Sequence, residues 1–291
     1  MRYIGIIFVM LAALFWGISG GIANILLDKG WHPFVISFYR GIIGFIFFFV
    51  WSLCGFREKR MPSLRFSLWS FLAGIGVVGN FVFYYLSIQA SSISISVTLM
   101  YTAPVFVLLT VLLLGIERSA WFKWGSVFWV ITGLILLTGA YNIDTISTTI
   151  LGTLAGLASG LSYTLFIFGF KKASAIGNAR STLALAFLSF SLILFLLMDP
   201  KEAVDVIGSE DIGWFLLLGI LGAGLSFFIY VIGLRRTPPT TASVVAMIEP
   251  ITASMIGILF LGNQLSMIQF LGMAIILLSI TLLSIKQAKV E

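Results

Sequence analysis

Two charged residues stand inside long apolar stretches, where an ionisable group is most able to do chemistry. Glu249 is the tenth residue of an apolar stretch at about residues 240–261. Helix rise puts it roughly 12–14 Å from one end, close to the middle of a membrane core of about 30 Å. A carboxylate at that depth is costly unless it is paired, hydrated or protonated. Glu249 could therefore exchange a proton or bind a cationic group. Alternatively, it is a buried carboxylate that is hydrogen-bonded to helix ends beside Pro250.

Arg40 is the second such group and lies within the apolar stretch at about residues 33–54. The same rise places it about 10 Å below one end of that stretch, and roughly 7–8 Å from Glu249 in depth. The guanidinium could reach back to the membrane surface, pair with Glu249, or hold the carboxylate of a ligand. The sequence leaves these three roles open.

Aromatic and hydroxyl side chains at similar depth could line a polar cavity around these charges. Tyrosine, tryptophan and asparagine carry polar atoms that need partners inside a membrane. Serine and threonine residues spaced three or four apart, such as Ser94 and Thr98, suggest a wetted helix face, although such hydroxyls also bond back to their own helix. The predicted ligand-binding residues are Trp16, Asn80, Tyr84, Thr98, Tyr101, Tyr163 and Glu249. One acid, few bases and several hydroxyls suit a small zwitterion or amine better than a polyanion.

Composition identifies the elements that must position these groups. Of 291 residues, 60% are hydrophobic and only 10% are charged, against about 25% charged in a soluble domain. A span needs about 20 apolar residues, and ten such stretches occur, at about 4–27, 33–54, 66–88, 93–114, 121–140, 150–170, 179–198, 212–234, 240–261 and 266–285. The sequence predicts an all-α membrane protein with ten transmembrane helices.

The placement of basic residues predicts the orientation. Of the 17 Lys and Arg residues, 14 fall in the segments that share a side with the N-terminus, two fall on the other side, and Arg40 is within a helix. Because cytoplasmic loops carry the excess of Lys and Arg, both termini are expected to be cytoplasmic in a plasma or inner membrane. The net charge of +6 is then a matter of topology, and no nucleic-acid partner is expected.

The chemistry-bearing motifs of soluble enzymes are not found in the sequence. There is one cysteine, Cys54, and one histidine, His32, which is too few for a disulfide or for the usual zinc ligands. Neither a His-Glu-x-x-His motif, a Walker loop nor a Gly-x-Ser-x-Gly motif occurs. We expect no enzyme activity, no cofactor and no metal.

Weak internal similarity predicts two repeats, residues 1–145 and 146–291. Gly17 aligns with Gly160 at an offset of 143 residues, and Pro104 aligns with Pro250 at an offset of 146. Each half holds five of the ten stretches, and because five is odd the second half should enter the membrane inverted. Inverted repeats of this kind are common in secondary transporters, with the substrate near the midplane between them. We therefore expect the two repeats to surround a central cavity.

Several of these residues also carry a family resemblance. Phe15-Trp16-Gly17, Pro33, Arg40, Thr102-Ala103-Pro104 and Glu249-Pro250, in that order, resemble the EamA branch of the drug/metabolite transporter superfamily. The element Leu-Gly-x-(Glu/Gln) after the fourth stretch of each half fits as well, although the second copy reads Gly262-Asn263-Gln264 where a glutamate is common. The resemblance implies a ten-helix basket around a central cavity and, often, export of amino acids or other small metabolites.

The sequence is thus interpreted as a secondary transporter that exports amino acids or related amines by alternating access. The expected partners are a small-molecule substrate, protons and the lipid bilayer, with Glu249 as the coupling or amine-binding carboxylate. The alternatives are efflux of drugs or organic cations, import of choline or another amine, and a lipid-carrier flippase subunit. An aromatic cavity with one acid would also suit a quaternary ammonium group.

Overall fold

The computed structural model describes residues 3–53, 63–117, 121–142, 149–262 and 264–290, except for the side chains of 261 and 288–290. Its regular elements are fourteen α-helices and one π-helical segment. They are α1 (Ile4–Asp28), α2 (Pro33–Leu53), α3 (Leu64–Ala90), α4 (Ile93–Met100), α5 (Ala103–Leu113), α6 (Trp121–Thr138), α7 (Ile150–Ile176), α8 (Ala179–Leu197), α9 (Pro200–Gly208), α10 (Ile212–Gly219), the π segment (Ile220–Leu225), α11 (Ser226–Arg235), α12 (Pro239–Val245), α13 (Ile248–Leu261) and α14 (Met267–Val290).

The ten predicted spans are confirmed within the described residues. Seven are single helices, and three are assembled from shorter ones: Ile93–Leu113 from α4 and α5, Ile212–Arg235 from α10, the π segment and α11, and Pro239–Phe260 from α12 and α13. The sixth span extends to Ile176, six residues beyond its predicted end. It continues past Lys171 because that ammonium donates to the carbonyls of Leu234 at 2.6 Å and Thr237 at 2.8 Å.

Two spans are interrupted at matching places. The α4–α5 span breaks at Tyr101 and Thr102, and the α12–α13 span breaks at Ala246 and Met247. Each break comes just before a proline, Pro104 or Pro250. A proline has no N–H to donate, and its ring clashes with the carbonyl four residues earlier, so the helix cannot run straight through.

A glycine of a neighbouring helix approaches each break. A Cβ atom added to Gly17 of α1 would lie 2.7 Å from the Glu249 carbonyl oxygen, and one added to Gly160 of α7 would lie 2.9 Å from the Met100 carbonyl oxygen. Both distances are too short for a real side chain, so only glycine lets the backbones come this close. The glycines and prolines that align in sequence therefore occupy equivalent contacts.

The spans of the first half and the corresponding spans of the second half have equivalent packing partners. Corresponding spans are five apart in chain order, so that the first corresponds to the sixth and the third to the eighth. The first span packs on the eighth and ninth through α11 and α13, and the sixth packs on the third and fourth through α3 and α4. The second span packs on the seventh, and the fifth on the tenth. Two five-helix repeats would produce this pattern. The predicted boundary between 1–145 and 146–291 falls outside the described residues and stays a prediction.

The two ends of the bundle differ in charge and in packing. The end where Arg235 and Arg236 join α11 to α12 is called the basic end, and the end that carries the 199–211 connection is called the acidic end. Every residue of α12 is buried, and α12 packs against α1, α5, α6 and α7. The bundle is therefore closed around its axis towards the basic end. Of the cations that predicted the orientation, Arg2, Arg57, Lys59, Arg60 and Arg118 lie outside the described residues.

A network of polar contacts, the acidic-end latch, ties the α1–α2 turn to α9 and α10. The Lys29 ammonium forms an ion pair with the Asp211 carboxylate, whose other oxygen accepts from Trp31 Nε1 at 2.9 Å. The backbone N–H of His32 donates to Glu202 Oε1 at 2.6 Å. Because α9 is a short helix outside the spans, these contacts hold it against the rest of the bundle.

The acidic-end latch predicts an acid-sensitive part of the stability. The hydrogen bonds from Lys29 and Trp31 lower the pKa of Asp211 below its ordinary value. A carboxylate with a lowered folded-state pKa stabilises the fold above its unfolded pKa of about 3.9, and that contribution is lost as the pH falls through the folded-state pKa. We expect Asp211→Asn to lower the thermal midpoint of the purified protein at pH 7, and we expect this difference from the wild type to shrink as the pH falls below about 4.

The matched control is Asp205→Asn, which changes an exposed carboxylate that forms no ion pair within the described residues. Its thermal midpoint should follow that of the wild type at every pH. A difference between Asp211→Asn and the wild type that stays constant from pH 7 to pH 3 would contradict the assignment.

Candidate functional site

Glu249 lies in the first turn of α13, two residues after the break in its span. It lies ten positions after Pro239 and eleven positions before Phe260, so it is halfway along the span. The free N–H groups at a helix N-terminus favour a carboxylate in the first turn. All residues from Pro239 to Ile248 are buried, whereas Glu249 is partly exposed. Glu249 is thus the first residue above the closed half of the bundle that keeps some exposed surface.

Both interrupted spans contribute to the surroundings of this carboxylate. The Tyr101 hydroxyl, at the α4–α5 break, lies within interaction range of the Glu249 carboxylate. The hydroxyls of Tyr84 on α3 and Tyr163 on α7 lie within electrostatic range of the same carboxylate. Interrupted helices at matching places in two halves are the usual location of a substrate site in a transporter.

Arg40 is held beside the site by the π segment. Its Nε and Nη2 atoms donate to the Gly222 carbonyl oxygen at 3.0 and 2.8 Å. The centre of the guanidinium also lies 5.0 Å from the Phe81 ring centroid. Gly222 belongs to Ile220–Leu225, where π-helical hydrogen bonding replaces the α-helical pattern, and such segments are frequent at functional sites. These contacts keep the guanidinium inside the bundle instead of letting it reach the membrane surface.

Arg40 and Glu249 share the site without forming an ion pair. Their charges attract each other, yet neither residue is in an ion pair within 4 Å in the described part of the chain. Both residues keep some exposed surface. The site therefore presents one positive and one negative group, each with capacity for a further partner.

An aromatic cluster underlies the two charges. The Trp16 ring lies 4.9 Å from that of Tyr230 and 5.0 Å from that of Phe227, and the Tyr163 ring lies 4.4 Å from that of Phe166. Among the described residues, Trp16 Nε1 and the hydroxyls of Tyr163 and Tyr230 are buried without a hydrogen-bond partner. A buried polar group without a partner costs about 1–3 kcal/mol. Three such groups in one cluster mark a place where a polar ligand or water would be stabilised.

The predicted binding residues divide into two groups. Trp16, Tyr84, Tyr101 and Tyr163 all gather around Glu249 or in the cluster beneath it. Asn80 is directed at α7 instead, where its Nδ2 donates to Ser159 Oγ at 3.0 Å.

Thr98 is also engaged elsewhere, because its hydroxyl donates to the Ser94 carbonyl oxygen at 2.8 Å and contacts the Thr138 hydroxyl at 2.9 Å. The hydrogen bonds of Asn80 and Thr98 serve helix packing, and contact of either residue with a substrate stays a prediction. Ser91 likewise bonds back to the Ser87 carbonyl oxygen, at 2.7 Å. The hydroxyls of Ser91, at the end of α3, and Thr98, in α4, thus satisfy neighbouring groups of the protein.

The structure adds Phe81, Gly222 and Tyr230 to the residues predicted from sequence. Tyr230 resembles the other mid-span aromatic residues, so the sequence alone could not separate it from packing residues. The run Gly222-Ala223-Gly224 in the middle of a span was a usable signal, because glycine there weakens a helix and often has a packing or functional reason. Phe81 has no such signal, since its role depends on its position over Arg40.

The chain is similar to known transporters over most of its length. A family model described as the EamA-like transporter family matches residues 3–139 and again residues 150–285. The threonine/homoserine exporter RhtA of Escherichia coli (strain K12) is 28% identical, over 84% of this chain and 79% of the exporter. An uncharacterized transporter of Bacillus subtilis (strain 168), YwfM, is 24% identical over 96% of this chain and 93% of its own length.

A crystal structure with 17% sequence identity superposes over the whole of both chains with a TM-score of 0.80, which shows the shared fold. The predicted resemblance is therefore confirmed, and the relatives indicate a multi-pass membrane transporter of small molecules, not an enzyme. Because the family model covers nearly all of both halves, this chain belongs to the EamA-like transporter family.

Proposed function

We propose that this protein is a secondary transporter that exports small amino acids, with the substrate bound between Glu249 and Arg40. The observation that carries the proposal is the presence of two opposite charges at mid-span that do not form an ion pair with each other. An α-amino acid presents an ammonium and a carboxylate a few bonds apart. Its ammonium would bind Glu249, and its carboxylate would bind the guanidinium of Arg40, which suits planar carboxylates.

The hydroxyl groups around the site suit a polar amino acid. Tyr84 and Tyr101 provide hydroxyls beside Glu249, and the cluster beneath contains the unpartnered polar atoms of Trp16, Tyr163 and Tyr230. A side-chain hydroxyl, which threonine and homoserine share, could use one of these groups. The related exporter named for these two amino acids supports the choice.

Glu249 is also proposed to couple transport to protons. A carboxylate that alternately binds a proton and an ammonium group exchanges one for the other, so the two would move in opposite directions. The breaks at Tyr101–Thr102 and Ala246–Met247 flank the site and provide places where the two interrupted spans can bend. With α12 buried, the described conformation is proposed to be open towards the acidic end and closed towards the basic end.

The membrane location follows from the distribution of charge. We propose that the basic end faces the cytoplasm, that both termini are cytoplasmic, and that the protein lies in the plasma or inner membrane. The division into inverted repeats of 1–145 and 146–291 around a central cavity is part of the same proposal, and the recurring packing partners support it.

Efflux of bulky organic cations is the main alternative. It would need an open aromatic surface, yet Trp16, Tyr163 and Phe166 are at most 4% exposed and pack on one another. The other two alternative functions are import of choline or another amine and a role as a lipid-carrier flippase subunit. Competition by cations, choline or a lipid carrier, without competition by threonine or homoserine, would favour one of these functions.

The proposed function makes a prediction about the Glu249 carboxylate. We expect Glu249→Gln to lower threonine or homoserine flux in proteoliposomes by about tenfold or more, because a hydrogen bond to a charged group contributes about 1.5–3 kcal/mol. The remaining flux should lose its dependence on a pH gradient. Stabilisation of the purified protein by these amino acids in a thermal-shift assay should weaken in parallel.

The matched control for this carboxylate is Glu210→Gln, which makes the same change at an exposed residue of the acidic end. It should leave flux, pH dependence and ligand stabilisation as in the wild type. Wild-type flux with wild-type pH dependence in Glu249→Gln would disprove the coupling role.

The second prediction concerns Arg40. Arg40→Gln removes the charge proposed to hold the substrate carboxylate, and Arg40→Lys keeps the charge but loses the planar fork. We expect both variants to raise the KM for amino acids, with the larger effect in Arg40→Gln. An amine that lacks a carboxylate should bind the wild type and both variants equally in the thermal-shift assay. Equal losses for the amine and the amino acid would instead assign Arg40 a purely structural role.

The third prediction tests the orientation. In a Cys54→Ala background, Glu210→Cys places a thiol on the acidic end and Lys172→Cys places one on the basic end, and both positions are exposed. A membrane-impermeant maleimide added to intact cells should label only Glu210→Cys, and cell lysis should make Lys172→Cys reactive. The opposite pattern would place both termini outside.

A further inference from the structure

A groove between α6 and α14 opens on the surface that faces the lipid, away from the candidate site. Its volume is about 370 Å³, and it runs along the basic-end halves of the two helices. Trp121, Trp129 and Leu282 line it and are exposed. The groove lies towards the basic end, because the start of α6 is in contact with α12 there. Glu117 Oε1, just before α6, accepts a hydrogen bond from the backbone N–H of Thr240 in α12.

The floor of the groove is open because of a glycine. A Cβ atom added to Gly125 would meet no atom within 4 Å. By contrast, α6 and α14 are in close contact in the other half of α6, where a Cβ atom at Gly133 would lie 2.8 Å from the Gly272 carbonyl oxygen. The two helices therefore diverge from this crossing towards the basic end and leave room for a narrow apolar chain.

Among the side chains that the structure describes, one unpaired cation lies at the mouth of the groove. Lys286 lines the groove, is exposed and lies 5.9 Å from the Phe122 ring centroid, and within the described residues it has no carboxylate within 4 Å. The nearby Lys123 differs, because it is buried and paired with Glu117 at 2.6 Å. Trp121, which is 92% exposed, lies at the level where tryptophan prefers the boundary between acyl chains and headgroups.

A second surface groove is apolar as well, but its lining contains no charged residue. It lies between α3 and α8, and only leucine, serine and phenylalanine residues line it, among them Leu68, Phe71 and Leu192. Such a groove can accept an acyl chain but offers no charge to a headgroup. The groove between α6 and α14 combines apolar walls with a cation, Lys286, near the basic end.

We propose that the groove between α6 and α14 binds one anionic phospholipid, with an acyl chain along Gly125 and Trp129 and the headgroup phosphate against Lys286. Basic residues between membrane helices at the cytoplasmic side are typical sites for anionic headgroups. A second copy of the chain fits less well. A two-fold contact across this groove would bring two Lys286 ammonium groups to the same depth, and like charges repel.

The test compares phosphatidylglycerol with phosphatidylcholine of identical acyl chains, by native mass spectrometry of the purified full-length protein. The wild type should retain one phosphatidylglycerol with about fivefold preference, the effect of one cation near the surface. Lys286→Gln should abolish the preference, and Lys172→Gln, which removes another exposed cation of the basic end, should keep it.

Filling the groove is an independent arm of the same test. Gly125→Leu occupies the open floor without a clash and should reduce retention of both lipids, whereas Gly213→Leu, at an exposed position of α10 that also has open space, should not. Equal retention of the two lipids by the wild type would overturn the headgroup assignment. Unchanged lipid retention in Gly125→Leu would overturn the groove as the binding site. If the wild type is a dimer that dissociates in Gly125→Leu, the occupant of the groove is a second copy of the chain and not a lipid.

Discussion

The interior of a membrane supplies no water to unpaired backbone groups, so a span can be interrupted only where neighbouring groups compensate. The two proline breaks of this protein meet that condition in the same way. Gly17 and Gly160 bring a helix backbone within contact distance of the interrupted segments, and no side chain fits between them. Because the breaks are held by close packing, the groups next to them, Tyr101 and Glu249, have defined positions at mid-depth.

The charges of the site are positioned from separate parts of the chain. Glu249 belongs to a half-helix whose N-terminus favours a carboxylate, while Arg40 is anchored by the carbonyl of Gly222, 182 residues away in sequence. Neither residue needs the other to be held in place. This independence explains how opposite charges can share a low-dielectric interior without collapsing into an ion pair.

Much of the fold was predictable from the sequence, because ten apolar stretches of about 20 residues leave few alternatives. The prolines also indicated which spans correspond, and Glu249 and Arg40 were evident as charges in apolar surroundings. The run Gly222-Ala223-Gly224 indicated a special place in its span, but it did not indicate that the hydrogen bonding there would be π-helical. The direction of Asn80 towards Ser159, 79 residues away, depends on which helices adjoin, and periodicity in one chain does not contain that information.

Lys171 has a mechanical consequence for any rearrangement of the bundle. Its ammonium binds the carbonyls of Leu234, at the end of α11, and Thr237, in the turn that leads to α12, and so fastens this junction to α7. A movement that uncovers the basic end must therefore carry α7, the end of α11 and the turn together as one rigid unit. Separating the end of α11 from α7 would leave a charged ammonium without its acceptors, so a rigid tilt is the less costly path.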